Sequence, residues 1–133
     1  LCDLSKDLVP ILEDKFGKDT FIFYETKGYE LDGLDSNSID FIFSIDTFVR
    51  VKKDYLKKYF KEFRRVLTNN GKMLIHLPID SSEVSNRKHF VNLSRDNIKT
   101  LLESNNFSDY IIDAKTINHG CLVLVNYGLK KNE

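Results

Sequence analysis

Phe41–Val51, with the sequence FIFSIDTFVRV, changes character halfway along its length. The first half is apolar enough for a strand buried on both faces, as strands are in a parallel sheet covered by helices. The second half presents Asp46 and Arg50 just beyond that strand. Open parallel sheets bind their ligands outside the carboxyl ends of the strands. The segment therefore predicts an α/β fold with a site near Asp46. Arg50 is interpreted as a solvated side chain, with binding of an anionic substrate group as the alternative.

The segments on either side alternate between helical and strand patterns. Apolar residues at helical spacing predict helices whose inner faces lie within 8–16, 55–67 and 98–102. Apolar, β-rich runs predict strands at 21–25, 41–45, 72–77, 109–117 and 121–127. The NNGK segment at 69–72 is expected to end the long helix, and Ser94 to cap the later one. This order predicts a doubly wound, mostly parallel sheet that ends in an antiparallel hairpin.

The composition limits the classes of protein to which the chain can belong. Its 133 residues are enough for one domain with a substantial core, so residues 1–133 are assigned to a single domain. Twenty basic residues balance twenty acidic ones, which disfavours nucleic acid and anionic membranes as partners. No apolar run has the length of a membrane span, and we expect no secretory leader. Cys2 and Cys121 have no metal-site spacing, so we expect no metal and buried, reduced thiols in a cytoplasmic protein.

Four fragments, taken in order, are similar to motifs of one enzyme family. They are CDLS at 2–5, SNSIDFIFSIDTFVRV at 36–51, EFRRVLTNNGKMLIH at 62–76 and LSRDNIKTLLESNNF at 93–107. They resemble the V-D-L-S strand end, the N-S-F-D strand, the E-x-x-R-V-L helix end with its following strand, and a later helix of class I S-adenosylmethionine-dependent methyltransferases. This resemblance covers essentially the whole chain. It implies a Rossmann-like sheet in which 121–127 lies antiparallel between 72–77 and 109–117.

The resemblance also implies a cofactor, S-adenosylmethionine, and a small-molecule substrate. In the family an acidic residue at the position of Asp3 accepts both ribose hydroxyls, a bidentate bond that suits a carboxylate. An aspartate that merely precedes a helix is the alternative interpretation. Lys27 stands where the family usually has an acidic residue or Asn near the adenine. The backbone groups of Lys27 and Gly28, with Tyr29 or Leu31 as an apolar wall, are therefore expected to hold the ring.

Polar residues near two other strand ends are the candidates for the rest of the site. Ser44 and Asp46 fall where the family contacts the methionine part of the cofactor and begins its substrate pocket. Asp46 is a candidate catalytic residue, with a capping role in the following turn as an equal alternative. His76 is the preferred general base because its pKa suits neutral pH, and a satisfied core histidine is the competing interpretation. His119 also falls at the carboxyl end of its predicted strand but is interpreted as a turn residue, and His89 is interpreted as a solvated one.

One motif of the family, the glycine-rich turn E/D-x-G-x-G-x-G, is absent from the sequence, although it should precede Asp3 by about twenty residues. Its absence predicts a sheet that is incomplete at the amino terminus, and weak cofactor binding by these residues alone. One hypothesis is that the chain is the carboxyl-terminal part of a longer methyltransferase, with homo-oligomerisation among its expected properties. The other is a non-catalytic remnant that serves as a structural or interaction domain. A flavodoxin-like or receiver domain fits less well, because such domains lack the closing antiparallel hairpin.

Overall fold

The computed structural model describes residues 1–3, 5–80, 91–117 and 119–126. The strands are β1 (Cys2–Asp3), β2 (Tyr24–Glu25), β3 (Ile39–Ser44), β4 (Leu67–Leu77), β5 (Tyr110–Asp113) and β6 (Cys121–Val125). The helices are α1 (Leu8–Phe16), α2 (Lys53–Val66) and α3 (Arg95–Glu103), and a short 3₁₀ turn spans Phe48–Arg50. His89, Asn118 and the predicted end of the last strand at 127 lie outside the described residues, so their predictions stay untested.

Four strands form the main sheet, in the order β3-β4-β6-β5. β3 and β4 are parallel, and β6 is antiparallel to both of its neighbours. This confirms the predicted α/β sheet with its last strand inserted antiparallel between two others. β5 is shorter than the predicted strand at 109–117, because the Asp113 carboxylate accepts hydrogen bonds from the backbone N–H groups of Lys115 and Thr116 and starts a turn.

β1 and β2 form a separate parallel pair, with Cys2 opposite Tyr24. Since β1 offers only two residues for pairing, only two residues of the predicted strand at 21–25 are in a strand. Phe21 and Ile22, at its start, are exposed. The expectation that both thiols are buried is wrong for Cys2, which is exposed, and correct for Cys121.

The core lies between one face of the main sheet and the helices α2 and α3. α3 buries Ile98, Leu101 and Leu102, as its sequence pattern predicted. α2 buries its apolar stripe against the same face, and the largest fully buried core side chains are Leu56, Phe60, Leu67, Met73, Ile75, Leu77, Ile98 and Leu102. No helix among the described residues combines the length and the apolar character needed to cross a membrane.

The opposite face of the sheet is only partly covered. Ile42 packs against the core, so its neighbours Phe41 and Phe43 point to the other face of β3. These two rings stack on each other and are 49% and 69% exposed. α1 has no buried residue. The predictions that β3 is buried on both faces and that α1 covers the sheet are therefore wrong for the described residues, because none of their helices packs on this face.

The long helix passes into β4 without an intervening loop. α2 ends at Val66, and Leu67 already has an extended backbone. Leu67 is fully buried and pairs with Ile39, whereas Phe41 pairs with Lys72, so the extra residues of β4 loop out between these two pairs. The NNGK segment therefore lies within β4, and the prediction that it ends the helix is wrong. Burial of Leu67 in the sheet ends the helix before the glycine is reached.

Candidate functional site

Three polar side chains meet where β3 and β4 end and β6 begins. Because β3 and β4 are parallel, with Ser44 opposite Ile75, Asp46 and His76 lie at the same edge of the sheet. β6 runs antiparallel, and its first residue, Cys121, lies opposite Leu77. The turn before β6 therefore carries His119 to the same edge. We call Asp46, His76 and His119 the carboxyl-edge cluster.

The Asp46 carboxylate lies between the two imidazoles. Its Oδ1 is 3.1 Å from Nδ1 of His76 and 3.0 Å from Nε2 of His119. The two imidazole rings meet edge to face, with their centroids 4.9 Å apart. His119, interpreted from the sequence as a turn residue, is therefore part of the cluster. The sequence signal that could have revealed it is its place just before an antiparallel strand, which begins at the edge where the parallel strands end.

Electrostatics and burial divide the cluster into an inner and an outer part. His76 is completely buried, whereas the Asp46 side chain is 61% exposed. Burial lowers the pKa of His76, although the Asp46 carboxylate opposes this shift. The hydrogen bond with His119 is the main cause that lowers the pKa of Asp46. At neutral pH the cluster therefore contains an ionised carboxylate at the surface above a neutral imidazole in the core.

The backbone holds Asp46 in this position. Its φ of 58° lies in the left-handed region, which costs free energy for a residue with a side chain. Its N–H donates to Nδ1 of His76 over 3.2 Å. The 3₁₀ turn that follows begins after Thr47 and has no side-chain cap, and the Asp46 carboxylate contacts the two histidines. Arg50, at the end of that turn, is exposed as expected.

A cavity of about 390 Å³ lies beside the ends of β1 and β2. It is lined by Cys2, Phe23, Tyr24, Glu25, Thr26, Lys27, Glu30, Leu31, Asp32, Gly33 and Leu34. Asp3 follows Cys2 in the chain and lies opposite Glu25 in the strand pair. Its carboxylate accepts a hydrogen bond from the Ser5 N–H. Asp3 itself is not among the residues that line the cavity.

The other residues expected near the cofactor lie in different surroundings. Lys27 is exposed at the cavity, and Gly28, with a φ of 129°, follows it in the loop. Tyr29 packs against Tyr55 and Tyr59 of α2, and Lys58 lies 4.5 Å from its ring centroid. Ser44 is in the main sheet and not in the strand pair that carries Asp3. The structure thus brings Lys27 and Leu31 to the cavity and turns Tyr29 towards α2.

An ion pair within the EFRRVL segment supports one wall of this cavity. Arg65 contacts the Glu62 carboxylate through two nitrogens, at 3.0 and 2.8 Å. Arg65 also donates to the carbonyl oxygens of Leu31 and Leu34, and Glu62 accepts from the Leu31 N–H. Leu31 and Leu34 both line the cavity. The E-x-x-R spacing, which places two opposite charges one helical turn apart, was the sequence signal for this role.

A family model described as a methyltransferase domain matches residues 1–75, which is more than half of the chain. Comparison with curated proteins gave no significant match.

Several solved structures have a similar fold, and two of the three described next are titled as SAM-dependent methyltransferases. The PH0226 protein from Pyrococcus horikoshii OT3 matches with a TM-score of 0.67 and 18% identity, over 94% of this chain and 69% of that one. A SAM-dependent methyltransferase from Leishmania major matches with a TM-score of 0.68 and 16% identity, over 94% and 53%. A SAM-dependent methyltransferase from Archaeoglobus fulgidus gives 0.63 and 17%, over 84% and 52%. This chain thus spans about half the length of the latter two. Together with the family model, the shared fold shows that the chain belongs to the class I S-adenosylmethionine-dependent methyltransferases.

Proposed function

We propose that this domain, within its complete protein, transfers a methyl group from S-adenosylmethionine to a small-molecule acceptor. The observation that carries the proposal is the cavity at the ends of β1 and β2, whose lining includes Cys2, the chain neighbour of Asp3, in a chain of the methyltransferase family. S-adenosylmethionine supplies an electrophilic methyl group on its sulfonium. The protein's task in such a displacement is to align the reacting groups and to exclude water.

On the cofactor side, the Asp3 carboxylate accepts the ribose hydroxyls in this proposal. The backbone of Lys27 and Gly28 holds the adenine, and Tyr29 stiffens their loop through its contacts with α2. Ser44 faces the methionine part of the cofactor. The Glu62–Arg65 pair supports these assignments, because its hydrogen bonds fix the loop that carries Leu31 and Leu34 at the cavity.

On the acceptor side, Asp46 and His76 assist the loss of a proton from acceptors that must ionise before they attack. The side chain of Asp46 is the exposed member of the pair and meets the acceptor. His76 is fully buried, so it acts through Asp46 and holds that carboxylate in place. Residues that move a proton in this way typically accelerate a reaction by about 10² to 10⁴-fold.

A non-catalytic domain used for contact between subunits is the second candidate. The exposed, stacked pair of Phe41 and Phe43 favours it, because large apolar side chains that face solvent together mark contact surfaces. In this case the domain binds another copy of itself or another protein through β3 and produces no methylated product.

The rate of S-adenosylhomocysteine formation by the complete protein, with a panel of small hydroxyl, carboxyl and amine acceptors, separates the two candidates. We expect turnover with at least one acceptor class. Asp46→Asn should lower the turnover rate by about 10²-fold or more with unchanged affinity for S-adenosylhomocysteine. The matched control Asp109→Asn, at an exposed aspartate outside the cluster, should behave as wild type. Absence of turnover with every acceptor class would favour the contact domain.

A further inference from the structure

The carboxyl-edge cluster has the composition of a metal site. Asp46, His76 and His119 each offer one ligand atom, and the three atoms lie within 4.8 Å of one another. The residues are far apart in the chain, since Asp46 is 30 residues from His76 and 73 from His119. Sequence spacing therefore gave no sign of such a site, and only the meeting of three strand ends creates it.

Protons alone do not satisfy the groups in this cluster. Nδ1 of His76 faces two groups of Asp46, the N–H at 3.2 Å and the carboxylate Oδ1 at 3.1 Å. If Nδ1 is unprotonated, it accepts from the N–H, but its lone pair then faces a carboxylate oxygen. If Nδ1 is protonated, it donates to the carboxylate, but its hydrogen then faces the N–H. A cation would remove the repulsion between the imidazole lone pair and the carboxylate, because it attracts both, and the Asp46 N–H would then have to turn away from Nδ1.

The geometry points to a divalent transition-metal cation such as Zn²⁺, and we propose that the cluster binds it through Asp46, His76 and His119. Two imidazole nitrogens and one carboxylate oxygen are a ligand set that zinc accepts in proteins. Metal–ligand bonds of about 2.0–2.1 Å in a tetrahedral site separate the ligand atoms by roughly 3.3–3.4 Å. The carboxylate lies 3.0 and 3.1 Å from the two nitrogens and all three atoms lie within 4.8 Å of one another, so binding of the ion would require the side chains to shift.

The proposed site is closed by buried residues on one side and open to solvent on the other. The imidazole of His76 is fully buried, and its Nε2 makes no hydrogen bond to the described residues, although the His119 backbone lies close enough to favour the protonated ring. Gly120 packs directly against Nε2 of His76 and the carbonyl oxygen of Leu77, at a distance that leaves no room for a β-carbon. The exposed Asp46 faces solvent on the other side. An ion held here would therefore keep an open position towards solvent.

The open position suggests a role that rests on the proposed methyl transfer. An acceptor hydroxyl bound to the ion would lose its proton more easily, because a divalent cation stabilises the resulting oxyanion. The site would then select small acceptors with a hydroxyl group. Ion binding itself needs neither cofactor nor acceptor, so it is tested independently of methyl transfer.

Calorimetric titration of the metal-free complete protein with Zn²⁺, without cofactor, tests the proposal. We expect wild type to bind a single ion at this site. Asp46→Asn and His119→Ala should each weaken binding by about 10- to 100-fold or more, since even changes to outer-shell partners of metal ligands have effects of that size. His89→Ala, which removes the third histidine of the sequence, is the matched control and should bind as wild type.

Two further readouts keep a folding defect apart from loss of a ligand. Zn²⁺ should raise the melting temperature of wild type and of His89→Ala, but not of Asp46→Asn or His119→Ala. A cooperative unfolding transition of these two variants without metal would show that they are folded. Co²⁺ should give wild type the visible absorption of a four-coordinate ion, and Asp46→Asn should lose it. Equal zinc affinity in all four proteins, or no zinc binding by wild type, would overturn the site. Absence of methyl transfer by a protein that binds zinc would contradict the proposed function alone.

Discussion

Glu62 and Arg65 connect a helix to the cavity through a small number of hydrogen bonds. The pair is partly shielded, with the Glu62 and Arg65 side chains 19% and 33% exposed. Arg65 also holds the carbonyl oxygens of Leu31 and Leu34, so removal of either charge leaves backbone groups of that loop without their partner. Charged hydrogen bonds of this kind contribute more to stability than ordinary surface ion pairs. The pair is therefore a structural support of the candidate cofactor cavity.

The Glu62–Arg65 pair should give stability a dependence on pH. The hydrogen bond from Arg65 is the main cause that lowers the pKa of Glu62 below that of the unfolded chain. The resulting contribution to stability is present above the unfolded pKa of about 4.3 and is lost as the pH falls through the folded pKa. Glu62→Gln should reduce the free energy of unfolding at pH 7 by about 1–2 kcal/mol and by less in acid. Urea unfolding of both proteins across this pH range measures the difference, and a constant difference at every pH would contradict the prediction.

Gly120 should be intolerant of a side chain because of its contacts with the cluster. A β-carbon there would overlap Nε2 of His76 and the backbone oxygen of Leu77, and the backbone cannot move aside without disturbing β4. Gly120→Ala should lower the free energy of unfolding by about 1–3 kcal/mol. Gly28→Ala is the comparison, since no atom lies within 4 Å of its β-carbon position and only its positive φ opposes the change. Chemical unfolding measures both variants; wild-type stability of Gly120→Ala would show that the turn packs differently.

At the scale of elements, α3 is the best specified part of the chain. The Ser94 hydroxyl accepts from the Asn97 N–H, and the Asn97 side chain accepts from the Ser94 N–H, which forms a reciprocal capping box. The buried stripe of Ile98, Leu101 and Leu102 then fixes the helix on the sheet. Local capping and long-range packing agree, which is the condition under which a sequence specifies an element well.

Removal of the cap should destabilise α3. Ser94→Ala leaves the Asn97 N–H without its side-chain acceptor and should cost about 1 kcal/mol of stability. Ser108→Ala, at an exposed serine in the loop after the helix, should change stability by less than about 0.5 kcal/mol. Thermal and urea unfolding of the two variants provide the comparison. Equal stabilities would mean that the cap contributes nothing measurable.

Other elements show where local patterns lose their predictive value. The antiparallel position of β6 and the inner face of α3 were predicted correctly, because hydrophobic periodicity and family order agree there. The junction of α2 and β4 was predicted wrongly, because burial of Leu67 against β3 ends the helix before the NNGK segment. The apolar side of α1 was expected to cover the sheet, but it has no buried residue. In both cases contacts from distant parts of the chain decide the outcome.

The candidate site was also only partly predictable. Asp46 and His76 were identified because each follows or ends a predicted strand. His119 was noted at the end of its predicted strand but interpreted as a turn residue, because its contact with Asp46 spans 73 residues and no local sequence pattern indicates it. Lys27 and Leu31 lie at the cavity as expected, whereas aromatic packing turns Tyr29 towards α2. The direction of a side chain such as Tyr29 depends on its packing against other parts of the chain, which the order of motifs in the sequence does not show.

At the scale of the whole molecule, the described residues form one well-packed sheet and one detached strand pair. β1 and β2 pair with each other, while the outer edge of β3 has no partner strand among residues 1–3, 5–80, 91–117 and 119–126. The apolar rings of Phe41 and Phe43 are exposed beside this edge. The family resemblance predicts a further strand beside this edge, which would join the two sheets. Cofactor binding is therefore best measured on the complete protein.

Calorimetric titration of the complete protein with S-adenosylhomocysteine is the most direct test that this domain holds the methyl-donor cofactor beside Asp3. We predict saturable binding to wild type, and binding weaker by about 10- to 100-fold in Asp3→Ala, because a charge-assisted hydrogen-bond pair is lost. The exposed Asp14→Ala in α1 is the matched control and should bind as wild type. Absence of binding to wild type, or equal affinities for wild type and Asp3→Ala, would contradict the assignment.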